Sequence, residues 1–311
     1  MRILLISSYI FGYMDFAVEE MQRQGHEVEV FYYEQEPLSF SYKNIGHKIT
    51  AGMGKLFGRN AKTKSRENSL KAELIDESFD YTLIIHGQYL NHETHVFLKS
   101  ISRRYVAYFF DSIKKMPAQK KIMHHFDKVF SYEPEDCQKY GFEFITNFIP
   151  TTNYTSIVSG FKVFHISTRD HRFSVLEKLA TYFKQNAIPF HFILFTKSKN
   201  PVNHFEISPK KLDFKAIGKH IKESTCLVDI QRKDQKGLSF RPFEALGNQK
   251  KLITNHPEIQ SYDFYHPNNI LIIDENDIQI PAEFTQSGYH EVPEEIVGKY
   301  TLDHWVKTIL K

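Results

Sequence analysis

KGLSFRPFEALGNQKKLIT, the stretch from Lys236 to Thr254, contains a glycine loop, a short helix and an apolar strand in close succession. The N-terminus of a helix presents free N–H groups and a partial positive charge, so this order suits a diphosphate. We expect Gly237 to let the backbone approach such a ligand and Arg241 to neutralise its charge. Glu244 is expected to accept hydrogen bonds from ribose or sugar hydroxyls; the alternative is that it caps or ion-pairs its own helix.

A strand predicted at residues 225–230 leads directly into this loop. In open parallel sheets, ligands bind outside the carboxyl ends of the strands, near the point where the strand order reverses. We therefore include Gln231, which follows this strand, and Ser239, which precedes the helix, among the ligand-binding residues. A solvated strand end is the alternative interpretation of Gln231.

Another strand-to-helix turn, after a strand predicted at 161–166, carries Ser167, Arg169 and Arg172. A guanidinium at such a turn can offset phosphate charge that a metal ion neutralises in other sites. We assign Ser167 and Arg169 to the ligand and place Arg172, which comes later, on the helix surface. An ordinary capped turn explains the segment equally well.

Strands and helices alternate along the whole chain, which indicates an α/β fold with parallel sheets. Strands are predicted at 2–7, 27–33, 81–85, 105–110 and 128–132, and again at 161–166, 190–195, 225–230, 252–254 and 270–273. Between the two series, residues 147–160 are rich in Thr, Asn and Ser, which is typical of a linker. We predict Rossmann-like domains at 1–155 and 156–292, and a helical tail at 293–311 that packs back on the first domain.

The stretch quoted above also resembles a family motif. Gly237, Phe240, Glu244-Ala245-Leu246-Gly247 and Leu252-Ile253-Thr254 are similar to the donor-binding motif of GT-B glycosyltransferases. In particular, the chain resembles bacterial glycosyltransferases of lipopolysaccharide and related surface-glycan assembly. The resemblance implies two Rossmann-like domains that face each other across a cleft. It also implies a nucleotide-sugar donor in the second domain and a glycan or lipid-linked acceptor in the first, with no cofactor.

One position departs from the family pattern. Retaining members often carry two glutamates in the spacing E-x7-E, and the position eight residues before Glu244 is Lys236. The motif therefore leaves open whether the reaction retains or inverts the configuration of the sugar.

The first domain offers two candidates for a catalytic base. Asp111 follows an apolar strand, and His86 follows another. An inverting transferase needs a base to deprotonate the acceptor hydroxyl, and either side chain suits that task. The alternatives are that Asp111 caps the following helix and that His86 is a structural histidine. Gly12 and Gly87, which also lie in loops after strands, are assigned to the acceptor.

The sequence gives no metal-binding pattern. His124-His125, His165 and His191 lack the carboxylate or thiolate spacing of a metal site, and no Asp-x-Asp motif occurs among the candidates. We therefore expect no metal dependence. Cys137 and Cys226 lack the spacing of a redox or zinc motif, which is typical of a reducing compartment.

A basic segment runs from Lys43 to Lys71, and Glu67 is its only acidic residue. A solvated surface is the simplest interpretation of such a run. The alternative is a patch that contacts an anionic membrane or an anionic glycan. No apolar stretch is long enough to span a membrane, so we expect a cytoplasmic protein, able to bind peripherally at the inner face of the membrane. The net charge of +3 does not indicate nucleic-acid binding.

Two other functions are compatible with the same sequence features. A nucleotide-sugar epimerase of similar shape binds a nucleotide diphosphate but acts on the donor alone. A non-catalytic nucleotide-sugar-binding or scaffold protein retains the fold without the reaction. Fold analogy alone does not distinguish these classes, nor does it name the sugar or the acceptor.

Overall fold

The structure, a computed structural model, describes residues 1–10, 12–35, 61–150, 159–198, 202–212 and 214–311, with the backbone alone for 61–64. The chain forms two compact units. Unit 1 comprises Met1–Ile145 and Thr308–Lys311, and unit 2 comprises Thr146–Lys307. The predicted boundary at 155/156, and the part of the basic segment from Lys43 to Arg59, lie outside the described residues.

Unit 1 contains a six-stranded parallel sheet with the order β2-β1-β3-β4-β5-β6. Its strands are β1 (Arg2–Ser7), β2 (Glu27–Tyr32), β3 (Tyr81–Ile85), β4 (Tyr105–Phe109), β5 (Lys128–Ser131) and β6 (Glu143–Phe144). Parallel strands covered on both faces have nearly continuous apolar runs, and β1 contains such a run from Ile3 to Ile6, fully buried. The order reverses between β1 and β3, so the loops after these strands diverge and leave room for a ligand.

Four helices of unit 1 are described: α1 (Tyr13–Arg23), α2 (Ala61–Leu74), α3 (His92–Ser100) and α4 (Pro134–Tyr140). Short 3-10 turns cover Gly87–Tyr89, Pro117–Lys121 and Met123–His125. Helix α3 begins where the side chain of Asn91 accepts a hydrogen bond from the backbone N–H of Thr94. Helix α4 ends at Gly141, whose left-handed conformation suits glycine.

Unit 2 contains a second six-stranded parallel sheet, with the order β12-β11-β10-β7-β8-β9. Its strands are β7 (Val163–Thr168), β8 (Phe190–Phe195), β9 (Glu206–Ser208), β10 (Cys226–Asp229), β11 (Lys251–Thr254) and β12 (Ile270–Ile272). Counted from β7, this is the 3-2-1-4-5-6 order of dinucleotide-binding folds, and it reverses between β7 and β10. The expected α/β class with two parallel sheets is confirmed.

The described helices of unit 2 begin with α5 (Phe173–Gln185), α6 (Phe214–Lys222) and α7 (Phe240–Gly247). They continue with α8 (Ala282–Gln286), α9 (Glu294–Gly298) and α10 (Leu302–Ile309). Trp305 of α10 is buried against Phe148, with ring centroids 5.0 Å apart. The last residues of the chain belong to unit 1, where the carbonyl of Ile309 accepts a hydrogen bond from the hydroxyl of Tyr81. Among the described helices, none has the length and apolar character needed to cross a bilayer.

Candidate functional site

Two arginines meet at the reversal point of unit 2. Arg172, the residue just before α5, donates from Nη1 to the carbonyl of Ile230 after β10, across 3.2 Å. Its Nη2 lies 2.9 Å from Oδ2 of Asp170, and Nη2 of Arg232 lies 3.4 Å from the same oxygen. Two guanidinium groups therefore share one carboxylate where β7 and β10 end, which leaves a net positive charge at this position.

Asp170 holds this arrangement together as an ionised group. Burial raises the pKa of its carboxyl, but hydrogen bonds from Arg172 and the positive charges of Arg172 and Arg232 outweigh that effect and lower it. The carboxylate thus fixes the orientation of both arginines near neutral pH.

Arg169 occupies a different position from Arg172. Its guanidinium is exposed and lies over the ring of Phe173, 4.6 Å from the ring centroid. Its backbone N–H donates to the carbonyl of Phe195 on the neighbouring strand. Arg172, predicted on the helix surface, is instead the arginine that bridges the ends of β7 and β10.

The side chain of Ser167 is hydrogen-bonded to a buried histidine. Its hydroxyl lies 2.9 Å from Nε2 of His165, and Nδ1 of His165 lies 2.9 Å from the carbonyl of Val228. A carbonyl only accepts, so Nδ1 carries the proton and the hydroxyl of Ser167 donates to Nε2. Burial lowers the pKa of His165 to about 3, which keeps the ring neutral. Ser167 therefore retains only acceptor capacity toward a ligand.

The glycine loop is held by hydrogen bonds from the side chain that precedes it. Nε2 of Gln231 donates to the carbonyls of Gln235 and Gly237, at 3.0 Å each. The backbone N–H of Gln231 donates to Oδ1 of Asn255, at 2.7 Å. Gln231, predicted to contact a ligand, thus shapes the loop from Gln231 to Ser239.

Ser239, predicted to bind the ligand, caps α7. Its hydroxyl oxygen accepts the backbone N–H of Arg241 at 3.2 Å, and the hydroxyl donates to Oδ2 of Asp229 at 2.9 Å. Asp229 is the last residue of β10, so the strand end and the helix start are joined through one serine.

Arg241 and Glu244 form an ion pair within α7. Nη1 of Arg241 lies 2.6 Å from Oε2 of Glu244, and the two side chains are 12% and 1% exposed. The carboxylate of Glu244 is therefore directed into the protein, next to its helix neighbour one turn earlier. Of the two interpretations of Glu244, the structure shows the ion pair within its own helix, which gives both residues a structural part in the site.

Lys236 occupies the position where retaining enzymes often have a glutamate. In this structure it forms an ion pair with a glutamate, Glu258. Its Nζ lies 2.8 Å from Oε1 of Glu258, and this hydrogen bond is the main cause that lowers the pKa of Glu258 to about 2. His256 lies between the same two residues, with Nδ1 2.9 Å from Oε2 of Glu258 and Nε2 2.9 Å from the carbonyl of Lys236. Sequence reasoning missed His256, because nothing in its local pattern indicates contact with a loop twenty residues earlier.

In unit 1, the two candidate bases lie side by side at the reversal point. Nε2 of His86 lies 3.8 Å from Oδ2 of Asp111, and Nδ1 of His86 lies 3.0 Å from the hydroxyl of Ser8. These residues follow β3, β4 and β1, so three adjacent strand ends bring them together. Asp111 also pairs with Lys115. Burial raises the pKa of Asp111, but His86 and Lys115 together lower it below its usual range.

The turn that carries His86 is strained and tightly packed. His86 has φ 59° and ψ 39°, in the left-handed region that non-glycine residues seldom occupy. A Cβ at Gly87 would lie 3.0 Å from Ile84, 3.1 Å from Ile122 and 3.2 Å from His95. Close packing therefore favours glycine at 87, a position predicted to contact the acceptor.

Gly12 precedes α1 in a left-handed conformation, with φ 86°. Its carbonyl accepts the backbone N–H of Asp15 at 3.1 Å. This conformation favours glycine. Gly12 is the N-cap of α1, the helix that follows β1. Gly12 thus lies at the same edge of the unit 1 sheet as Ser8 and His86.

No family model and no curated protein matches the chain. Solved structures do match it. One is the glycosyltransferase SnogD from Streptomyces nogalater, 9% identical, with 100% of this chain and 99% of that chain covered and a TM-score of 0.52. Another is a UDP-GlcNAc 2-epimerase from Neisseria meningitidis bound to UDP-GlcNAc, 10% identical, with 100% and 98% covered and a TM-score of 0.51. The fold is GT-B.

This GT-B fold is shared by transferases and epimerases, so it establishes the architecture and not the reaction. Within it, the gathered groups lie where open α/β sheets bind ligands: Arg172, Arg232 and the capped α7 in unit 2, and Ser8, His86 and Asp111 in unit 1. The first set suits an anion, and the second suits the removal of a proton from a hydroxyl.

Proposed function

We propose that this chain is a glycosyltransferase whose unit 2 binds a nucleotide-sugar donor and whose unit 1 binds the acceptor. The observation that carries the proposal is the pair of guanidinium groups, Arg172 and Arg232, held by Asp170 at the reversal point of unit 2. The N-terminus of α7, capped by Ser239, follows the adjacent strand end and adds a partial positive charge.

The diphosphate of the donor is the group that these residues would bind. Arginines fixed in advance lose little side-chain entropy on binding, and Asp170 supplies that restraint. As the bond between sugar and diphosphate breaks, negative charge grows on the leaving oxygen, and the same guanidinium groups stabilise it. In this proposal they take the part that a metal ion plays elsewhere, and exposed Arg169 adds a further cation.

The acceptor reaction would use the pair of groups in unit 1. The acceptor oxygen forms a bond to the anomeric carbon, the bond to the diphosphate breaks, and the acceptor proton passes to His86. An imidazole is a better base near neutral pH than a carboxylate whose pKa is lowered, so we assign the proton to His86 and charge compensation to Asp111.

The acceptor class rests on the resemblance of Lys236 to Thr254 to transferases of surface-glycan assembly. We propose a glycan or lipid-linked acceptor of bacterial surface polysaccharide, met at the cytoplasmic face of the membrane. The basic segment from Lys43 to Lys71 supports this placement through its charge.

Product analysis tests the proposal. The purified chain is incubated with a panel of nucleotide sugars, with and without glycan and lipid-linked acceptors, and products are identified by mass spectrometry and NMR. We expect a glycosylated acceptor and free nucleoside diphosphate. Isomerised donor without transfer would make the chain an epimerase. Absence of any turnover, with no thermal stabilisation by any nucleotide, would favour a scaffold, since a ligand at a hundred times its Kd stabilises by about 2.7 kcal/mol.

A further inference from the structure

Three histidines come together on the surface of unit 1. His92 is the first residue of α3, and His124 and His125 lie in the 3-10 turn Met123–His125. One ring nitrogen from each lies within 4.8 Å of those of the other two. His92 and His125 are 33 positions apart in the sequence, which explains why the spacing of His124-His125 alone does not indicate a site.

The separations suit a tetrahedral metal ion. Nδ1 of His92 lies 3.1 Å from Nε2 of His125. Two nitrogens bound to one zinc ion at about 2.0–2.1 Å in tetrahedral geometry lie about 3.3 Å apart, so this pair is already at the required distance. The ring centroid of His124 lies 4.2 Å from that of His125, and the exposed side chain can rotate to complete the set.

The buried member of the group is fixed in position. The ring of His125 stacks on His95, with centroids 4.9 Å apart and planes within 8°. His95 is itself held by the hydroxyl of Tyr105 at 2.7 Å and the carbonyl of Gly87 at 3.0 Å. Lys99 donates to the backbone carbonyl of His125 at 2.8 Å. Ligands held in this way bind a metal with little loss of freedom.

The acidic residue close to this group already has a cationic partner. The carboxylate of Asp127, two positions after His125, lies 2.7 Å from Nζ of Lys99.

We propose that His92, His124 and His125 form a binding site for one divalent transition metal ion of the class that imidazole prefers: zinc, cobalt, nickel or copper. The three imidazoles leave a fourth position for water or an external ligand, as in open three-histidine sites. The site is independent of the proposed transfer reaction, because no residue assigned to donor or acceptor chemistry belongs to it.

Metal binding by the chain without a polyhistidine tag tests this proposal. After treatment with a chelator, the protein is titrated with Zn²⁺ by calorimetry and with Co²⁺ by visible absorption. We expect one Zn²⁺ per chain and the intense visible bands of tetrahedral Co²⁺. Because these readouts need no substrate, their failure is distinguishable from failure of the proposed function.

The variants His92→Gln and His124→Gln remove exposed ligands and leave the buried His125 in place. Each should weaken Zn²⁺ binding at least about tenfold, with an unchanged Tm in the absence of metal. His304→Gln changes an exposed histidine of unit 2 and should bind Zn²⁺ as the wild type does. Absence of stoichiometric binding by the wild type, or equal affinity in all three variants, would overturn the site.

Discussion

The carboxylate of Asp229 accepts a 2.9 Å hydrogen bond from the hydroxyl of Ser239, and the same hydroxyl oxygen accepts the backbone N–H of Arg241. The end of β10 and the first turn of α7 are therefore fixed to each other by one side chain. Asp229 is buried, so its carboxylate needs the hydrogen bond from Ser239. Helix α7 needs the same side chain as its N-cap. The position of the α7 N-terminus relative to the reversal point of unit 2 follows from this contact.

Replacing Ser239 with Ala should therefore lower the free energy of unfolding by more than the loss of a helix cap on the surface does. The lost cap contributes about 1 kcal/mol, and the unsatisfied carboxylate of Asp229 adds about 1–3 kcal/mol. Urea denaturation measures the loss in free energy of unfolding. Ser174→Ala, on the exposed surface of α5, is the matched control and should stay within about 0.5 kcal/mol of the wild type. Equal stability of the two variants would contradict this account of the contact.

The ion pair between Arg241 and Glu244 leads to a second prediction. Replacing Arg241 with Met leaves the carboxylate of Glu244 buried without its partner, which should cost about 3–5 kcal/mol. The double variant Arg241→Met with Glu244→Leu removes both charges and should recover most of that loss. A double-mutant cycle in urea measures the coupling. If the losses were simply additive, the pair would not act as a unit.

Much of the fold was predictable, because apolar strands alternate with helices along the chain. All of β4, and β1 from its second residue onward, are buried, and buried apolar runs of this kind are typical of strands in a parallel sheet. The two candidate bases were also predictable. His86 and Asp111 each follow a strand, and the two strands are adjacent in the sheet, so their ends lie together.

The direction of side chains in the turn between β7 and α5 was not predictable in the same way. Arg169 and Arg172 both lie in this turn, and only Arg172 reaches the carbonyl of Ile230. An irregular turn has no fixed period from which the directions of its side chains follow. The contact between Arg241 and Glu244 has the i,i+3 spacing of helix neighbours, so it could have been foreseen. Contacts across long separations, such as His92 with His125 and His256 with Lys236, carry no local signal.

The buried ring of His165 should make the protein less stable in mild acid. The unfolded chain binds a proton on this histidine below about pH 6.5, whereas the folded chain, with a pKa of about 3, does not. Stability is therefore lost as pH falls below 6.5, by about 2 kcal/mol between pH 7.5 and 5.0. His95, whose pKa burial lowers to about 4, acts in the same direction.

His165→Asn keeps a donor for the carbonyl of Val228 but does not titrate in this range. Urea denaturation at the two pH values should show a smaller loss of stability in this variant, with the part due to His95 remaining. His304→Asn, at an exposed position, should show the full loss. An unchanged pH dependence in His165→Asn would mean that His165 titrates normally in the folded protein.

Arg232 should contribute to nucleotide binding through its charge. We expect Arg232→Ala to raise the Kd of the best-binding nucleoside diphosphate about tenfold, equivalent to about 1.4 kcal/mol, with little change in Tm. Lys233→Ala is the control, because Lys233 is an exposed cation at the next position in the same loop. Calorimetric titration compares the two, and equal weakening would indicate long-range attraction in place of a specific contact.

The pair of His86 and Asp111 gives the sharpest test of the proposed reaction. If His86 accepts the proton of the acceptor hydroxyl, His86→Gln should lower kcat for glycosyl transfer by about 10²–10⁴-fold and leave donor binding intact. Asp111→Asn, which removes charge compensation only, should have a smaller effect. Ser8→Ala, which removes the hydroxyl at Nδ1, should have the smallest of the three. A larger loss in Asp111→Asn than in His86→Gln would assign the proton to the carboxylate instead.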